Sequence, residues 1–265
     1  MTRYGDTLAV LHERGRVSCM SALPEWRNDW ALFLDVDGTL LEIAPIPAAV
    51  RVPKRAMSVL ASLHPRLGGA IALVTGRRIA DLDALFAPLR LAAAGVHGAE
   101  RRDAAGHLTA SDRGGRLAPA RRVLAAWQAA HTGTVLEDKG ASLALHYRAA
   151  PEWEAEARRA VIEALAVVGP EYHIQEGKKV LELKAHSAAK GTAIEAFMDE
   201  PPFRGRCPVF IGDDLTDEDG FDAVNRLGGH SIAVGLDRPT RARWRLRNED
   251  EVLGWLERGT EKEGV

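Results

Sequence analysis

A doubly wound α/β fold, with a parallel-sheet core interrupted by an inserted α+β cap, is predicted by three features of this 265-residue chain. Short apolar runs recur, and each ends in a polar or glycine-containing turn. Strands buried on both faces of a parallel sheet read this way. Helical patterns separate most of these runs, as a doubly wound sheet requires. Between Val96 and Val209, finally, the chain is far longer than one crossover helix needs, which leaves room for a second unit.

Taken in order, residues 1–25 show poor periodicity and are expected to be a short helix or a loose lead-in. Ala31 to Leu34 is the first apolar run and enters Asp35. Pro45, Pro47 and Pro53 bracket a rigid, extended loop, after which Lys54 to Leu63 reads as a helix. Ala70 to Val74 runs into Thr75-Gly76-Arg77, and Ile79 to Leu85 is again helical. Leu91 to Val96 runs into His97-Gly98. The long interval has a pattern of its own. Arg116 to Ala130 and Glu152 to Val167 look helical. Val135 to Asp138, Ser142 to Arg148, Tyr172 to Gln175 and Lys178 to Lys184 look like strands. In the second of these, Leu143, Leu145 and Tyr147 share one face, while Ala144, His146 and Arg148 share the other, the mark of a one-sided sheet. The core resumes with a helix over Ala188 to Met198. Val209 to Ile211 then runs into Gly212-Asp213-Asp214, and Ser231 to Val234 into Gly235. The expected division is a lead-in over 1–25, a core over 26–108, a cap over 109–185, the returning core over 186–258 and a frayed tail over 259–265.

Composition narrows the function classes. Apolar residues make up 46% and charged residues 27%, ordinary for a globular protein. A formal net charge of -2 gives no field that would gather nucleic acid or anionic lipid. Cys19 and Cys207 lack metal-ligand spacing and do not make a disulfide framework, so two reduced thiols are expected. No stretch approaches ~20 uninterrupted apolar residues, and the start lacks the apolar core of a signal peptide. A cytoplasmic monomer acting on a small molecule is the resulting expectation.

In open α/β sheets, ligands sit beyond the carboxyl ends of the strands. Asp35, Thr75 and Asp213 all fall there. Asp35 and Asp37 are two residues apart and point the same way if the strand continues, and two such carboxylates repel unless a cation or a proton lies between them. Gly38 permits a tight turn, and Thr39 can cap the segment after it. Asp213-Asp214 and Asp217-Glu218-Asp219 form a second acidic cluster at another strand end. For any single Asp after a strand, a turn residue is the ordinary explanation; two clusters with an intervening Thr-Gly-Arg argue against it. Hard oxygen ligands with room for water and phosphate suit Mg2+. Thr75 offers a hydroxyl to an anion, and Lys190, followed by Gly191 at a helix start, offers an ammonium. A carboxylate nucleophile, a magnesium ion and a lysine together form a phosphoryl-transfer site.

The order Asp-x-Asp-Gly-Thr, Thr-Gly-Arg, Lys-Gly and Gly-Asp-Asp-x-Thr-Asp-Glu-Asp, spanning Asp35 to Asp219, resembles the haloacid dehalogenase (HAD) superfamily of phosphatases. The resemblance implies a HAD-like, Rossmann-like core with a C2-type cap. It implies Asp35 as nucleophile, Asp37 as general acid and base, and Thr75 and Lys190 as phosphate clamps. It also implies Asp213 as a magnesium ligand together with Asp35 and the main-chain carbonyl of Asp37, with Asp214 and Asp217 in or just outside the metal's ligand set.

Four further segments are similar to trehalose-6-phosphate phosphatases: Gly95 to Glu100, Glu137-Asp138-Lys139, His146-Tyr147-Arg148 and Gly177 to Glu182. Glu137 and Lys139 share a face if extended, as do Lys178 and Glu182, which makes a polar, sugar-compatible surface. The resemblance carries substrate binding to Arg77, His97, Gly98, Glu100, Glu137, Lys139, Arg148, Lys178 and Glu182. Other readings stay open. The core motifs equally suit a phosphatase for sucrose 6-phosphate or a mannosyl phosphate, or a sugar phosphomutase. A receiver domain also combines these residue types, but its acidic pair precedes the acceptor. A catalytically silent sugar-phosphate sensor should have lost one of Asp35, Asp37, Lys190 or Asp213, and all four are present.

Overall fold

The computed structural model describes residues 23–43, 50–110, 115–235 and 238–261. The expectations for most of the lead-in, for Pro45 and Pro47, for Cys19 and for the end of the tail therefore lie outside the described residues.

Two sheets organise the chain. The larger has eight strands in the order β12-β11-β10-β1-β2-β3-β4-β5. Six of its members, β1 (Trp30–Leu34), β2 (Ile71–Val74), β3 (Ala92–Gly95), β10 (Cys207–Gly212), β11 (His230–Val234) and β12 (Trp244–Leu246), are joined in parallel throughout. The apolar runs form these strands because helices cover the sheet and leave no face for water: every residue of β1 and β2 is buried. Helix α1 (Lys54–Arg66) follows Pro53, whose fixed φ suits a helix start, and buries Ala56, Val59, Leu60 and Leu63, one stripe at helical spacing. Helices α2 (Ile79–Phe86), α5 (Lys190–Met198), α6 (Glu218–Arg226) and α7 (Glu249–Arg258) are the others that pack on this sheet. Cys207 is a free thiol at the start of β10.

A hairpin of β4 (Glu100–Arg102) and β5 (Leu108–Ala110) extends the large sheet antiparallel to β3. The boundary expected between residues 108 and 109 thus passes through a strand of the large sheet. Its three-residue arms are too short to show a period in the sequence.

The second sheet has the order β6-β7-β9-β8 and is antiparallel throughout. It comprises β6 (Val135–Asp138), β7 (Ser142–His146), β8 (Tyr172–Gly177) and β9 (Val180–Ala185), with α3 (Ala118–Ala129) and α4 (Glu154–Val168) on one face. Leu143, Leu145, Leu181 and Leu183 point to those helices, where the small residues Ala157, Ala160 and Ala164 of α4 allow close approach. Each fully buried Leu contributes about 2 kcal/mol. The alternation leaves the other face polar, and the cross-strand pairs Ala144↔Glu182, Gln175↔Glu182 and Ser142↔Lys184 lie on it.

The hydrophobic residues of this sheet form a cluster separate from that of the large sheet. A small third cluster, Val96, Ala99, Ala141 and Ala188, lies where the two units meet. Among the described residues, no helix is long and apolar enough to cross a membrane.

Candidate active site

The strand order sets β10, β1 and β2 side by side, in registers pairing Leu34 with Ile211 and with Leu73. The residues just beyond these strands, Asp213, Asp35 and Thr75, therefore emerge at one edge of the sheet. Lys190, the first residue of α5, enters the same space: its Nζ donates to Oδ1 of Asp35 at 2.7 Å and to Oδ1 of Asp217 at 2.6 Å. All three are buried, Asp217 completely.

Asp217 is held from its other side as well. Its Oδ2 accepts the backbone N–H groups of Asp213 and Asp214, each at 2.9 Å. It therefore shapes the turn that carries those two residues. Asp214 caps the same turn, accepting from the Thr216 backbone and hydroxyl at 2.6 Å. Gly212 is required beside it, since a Cβ there would lie 2.3 Å from Cγ of Asp217.

One carboxylate oxygen from each of Asp35, Asp213 and Asp217 lies within 4.8 Å of the others. Burial pushes the Asp35 and Asp213 carboxyls up to about 7, in spite of Lys190. One ammonium does not balance the carboxylates gathered here. The donor set is all oxygen, compact and negatively charged, and so it fits a hard divalent cation. Thr75 is buried, and its Oγ1 accepts the Arg77 N–H at 3.2 Å. Its own hydroxyl proton stays available to an anion.

Asp37 faces Arg77: the guanidinium Nε donates to Oδ2 and the terminal NH2 to Oδ1, both at 2.6 Å. His97 adopts a left-handed backbone conformation (φ 55°) and is buried. Its Nε2 lies 3.4 Å from Oε2 of Glu182, on β9 of the smaller sheet. Burial lowers the His97 imidazole below its usual range, so the ring is neutral and donates to Glu182. Burial works to raise Glu182, but His97 and the Lys139 charge outweigh it and hold its carboxyl well below the usual range. Oε1 of Glu182 accepts from Ser142 at 2.6 Å and from Lys139 at 3.3 Å. Nearby, His146 Nε2 lies 2.9 Å from Oε2 of Glu137, and that hydrogen bond holds the Glu137 carboxyl low.

A cleft of about 180 Å³ opens between the two units. The core contributes His97, Asp214 and Thr216; the cap contributes Arg148, Gln175, Lys178 and Glu182 among others. The structure thus brings together Asp35, Lys190, Asp213 and Asp217 at the strand ends, and His97, Arg148, Lys178, Glu182 and Asp214 around the cleft. Lys139 and Glu137 adjoin through their partners. Gly98 packs beside α5, where an added Cβ would meet the Ala189 carbonyl at 2.9 Å. Glu100 stands apart, since its carboxylate accepts the Ile79 N–H at 2.8 Å and caps the start of α2. The sequence did not single out Gln175, Thr216 or Ser142. Period-two alternation on β8 and β9 places Gln175 opposite Glu182 and was the signal for it; for Ser142, the signal was its place on the polar face of β7.

The trehalose-phosphatase family model matches residues 33–250. A probable trehalose-phosphate phosphatase of Sinorhizobium fredii is 46% identical over 220 residues, covering 83% of this chain and 83% of the relative. A trehalose-6-phosphate phosphatase of Escherichia coli is 45% identical over 243 residues, covering 90% of this chain and 89% of the relative. Among solved structures, the C-terminal domain of the C. albicans trehalose-6-phosphate phosphatase superposes with a TM-score of 0.75 at 20% identity, covering 88% of this chain and 94% of that one. At that identity the superposition speaks to the HAD-like fold alone.

Proposed function

The chain belongs to the trehalose-phosphatase family of HAD-like phosphoric monoester hydrolases, and from that premise we propose that it is a magnesium-dependent enzyme that hydrolyses trehalose 6-phosphate to trehalose and phosphate. The observation that carries this reading is the buried pair of Asp35 and Lys190, at 2.7 Å, beside the Asp214 wall of a cleft whose other wall is polar. A nucleophilic carboxylate, a phosphate-binding cation and a hydroxyl-reading surface meet there. The division of labour follows the two sheets, with chemistry in residues 26–108 and 186–258 and substrate selection in the cap of residues 109–185.

Asp35 attacks phosphorus, forming an aspartyl phosphate as the bond from phosphorus to the sugar oxygen breaks. Asp37 gives its proton to that departing oxygen. Asp37 then takes a proton from the water that attacks the aspartyl phosphate, which releases phosphate and restores Asp35. Thr75 and Lys190 hold the phosphoryl oxygens throughout. Asp35, Asp213 and the main-chain carbonyl of Asp37 would hold Mg2+, with Asp214 and Asp217 adjoining. The ion, when bound, neutralises carboxylates and phosphoryl oxygens together. On the cap, Glu137, Lys139, Arg148, Lys178 and Glu182 offer charged partners to sugar hydroxyls, and a site built to pair with hydroxyls discriminates strongly against sugars that lack them. His97 lines the core side of the cleft, with Gly98 next to it in the chain and Glu100 capping the start of α2.

The test is phosphate release from trehalose 6-phosphate beside sucrose 6-phosphate, glucose 6-phosphate and 4-nitrophenyl phosphate, with and without Mg2+. Preference for trehalose 6-phosphate that vanishes without the ion is expected. A flat profile across the sugars removes the trehalose assignment, and full activity in chelator removes the magnesium.

A further inference from the structure

Arg77 reads from the sequence as a contact for substrate, yet its guanidinium is committed elsewhere. It grips both oxygens of Asp37 in a two-pronged pair, 2.6 Å on each side. The Arg77 side chain is 14% exposed and that of Asp37 34%. Its backbone is fixed too: the N–H donates to Thr75 Oγ1 and the carbonyl accepts from Val96. From the cap, the Glu137 carboxylate also acts on the Arg77 charge. A planar fork fixes the plane as well as the position of a carboxylate, which a lysine cannot do.

We propose that Arg77 is a positioning residue, which aims the Asp37 carboxyl at the oxygens it must protonate and deprotonate, and does not bind the sugar. This rests on the reading of Asp37 as acid and base. Misaiming that carboxyl should slow both proton transfers while leaving substrate affinity in place, and should leave the attack by Asp35 in place on an ester whose leaving group needs no proton. The two steps separate with 4-nitrophenyl phosphate. Nitrophenolate leaves without a proton, so formation of the aspartyl phosphate needs no acid, whereas its hydrolysis still needs the base.

The experiment compares Arg77→Met and Arg77→Lys with wild type and with Asp37→Asn, alone and combined with Arg77→Met. Circular dichroism checks that each is folded. With trehalose 6-phosphate, Arg77→Met should lower kcat about tenfold to a hundredfold, with KM changed by less than about twofold, and Arg77→Lys should restore little of it. With 4-nitrophenyl phosphate, a burst of about one nitrophenolate per enzyme should precede a slowed steady state. Adding Arg77→Met to Asp37→Asn should cost little more, because residues that act as a unit are not additive. A raised KM with unchanged kcat would make Arg77 a substrate contact and overturn the proposal. So would full additivity in the double variant, a lost burst, or rescue by lysine. If Asp37→Asn alone keeps wild-type kcat, the acid and base reading fails first, and the proposal with it. Should Arg77→Met not fold, the kcat, KM and burst of Arg77→Lys decide in the same way.

Discussion

At Gly38 the backbone takes φ +87°, and a Cβ built there would lie 2.2 Å from Oδ2 of Asp213. Gly38→Ala therefore carries two separate costs. The left-handed conformation costs about 1–2 kcal/mol, and Asp213 must move. We expect a folded protein whose kcat for phosphate release falls about a hundredfold, the scale of a small misplacement at a reacting centre. A Gly38→Ala enzyme with normal turnover would mean that the Asp213 carboxylate need not stand where it does. Glu182 makes the opposite kind of test, because it lies on the cap and accepts from Ser142, Lys139 and His97. Glu182→Ala should lower kcat/KM for trehalose 6-phosphate at least about tenfold while sparing 4-nitrophenyl phosphate, since only the first ligand has sugar hydroxyls to pair. Equal losses on both substrates would count against a sugar role. The residues at the strand ends were legible in the sequence because strand ends converge whatever lies between them: Asp35, Thr75 and Asp213 needed only their apolar runs. The partners of each side chain were not legible. Nothing in the spacing of residues 37 and 77, or of residues 97 and 182, says that they touch, because those contacts are set by how sheet, turn and cap come together.

Helix α7 shows what an element owes to its ends. The side chain of Asn248 accepts the Glu251 N–H at 3.0 Å, and Glu249, Asp250 and Glu251 put negative charge in the first turn. The apolar face, Val252, Leu253, Trp255 and Leu256, then packs on the core. Asn248→Ala should cost about 1 kcal/mol, read as a lowered urea midpoint, with kcat unchanged because the helix takes no part in the site. A changed kcat would mean that α7 reaches the strand ends through its packing. At this scale the sequence is unevenly legible. Strands buried on both faces read closely, since an unbroken apolar run has one simple cause. The hairpin of β4 and β5 and the edge strand β12 do not show. Their arms are three residues long, and β12 sits in an arginine-rich stretch where Trp244 and Leu246 alternate with Arg243, Arg245 and Arg247. The start of α6 is hidden too, because Glu218 and Asp219 read as part of the acidic cluster rather than as a helix's first turn.

Across the whole molecule, each of the two sheets carries a half-buried histidine, His173 on the smaller and His230 on the larger. His173 on β8 stacks on His186 at 4.5 Å, and His230 on β11 sits edge-on to Trp30 and Trp244. Both imidazoles are lowered, first by burial, with Lys184 adding to it at His173 and Arg243 at His230. A histidine whose folded pKa lies below its unfolded value of about 6.5 binds fewer protons when folded. Its stabilising contribution is therefore complete above that value and is lost as pH falls through and below it. Asp35 and Asp213, raised to about 7, carry the opposite slope over the same window. The quantity to measure is accordingly a difference, in which their contribution cancels. Comparing Tm at pH 7.5 and pH 5.5, wild type should lose more than the double variant His173→Gln/His230→Gln, whose remaining groups are the same. A drop in Tm of equal size in both proteins would show that neither ring stays neutral in the fold. The same comparison in kcat should show no difference, because neither histidine is among the groups proposed to touch the phosphoryl centre.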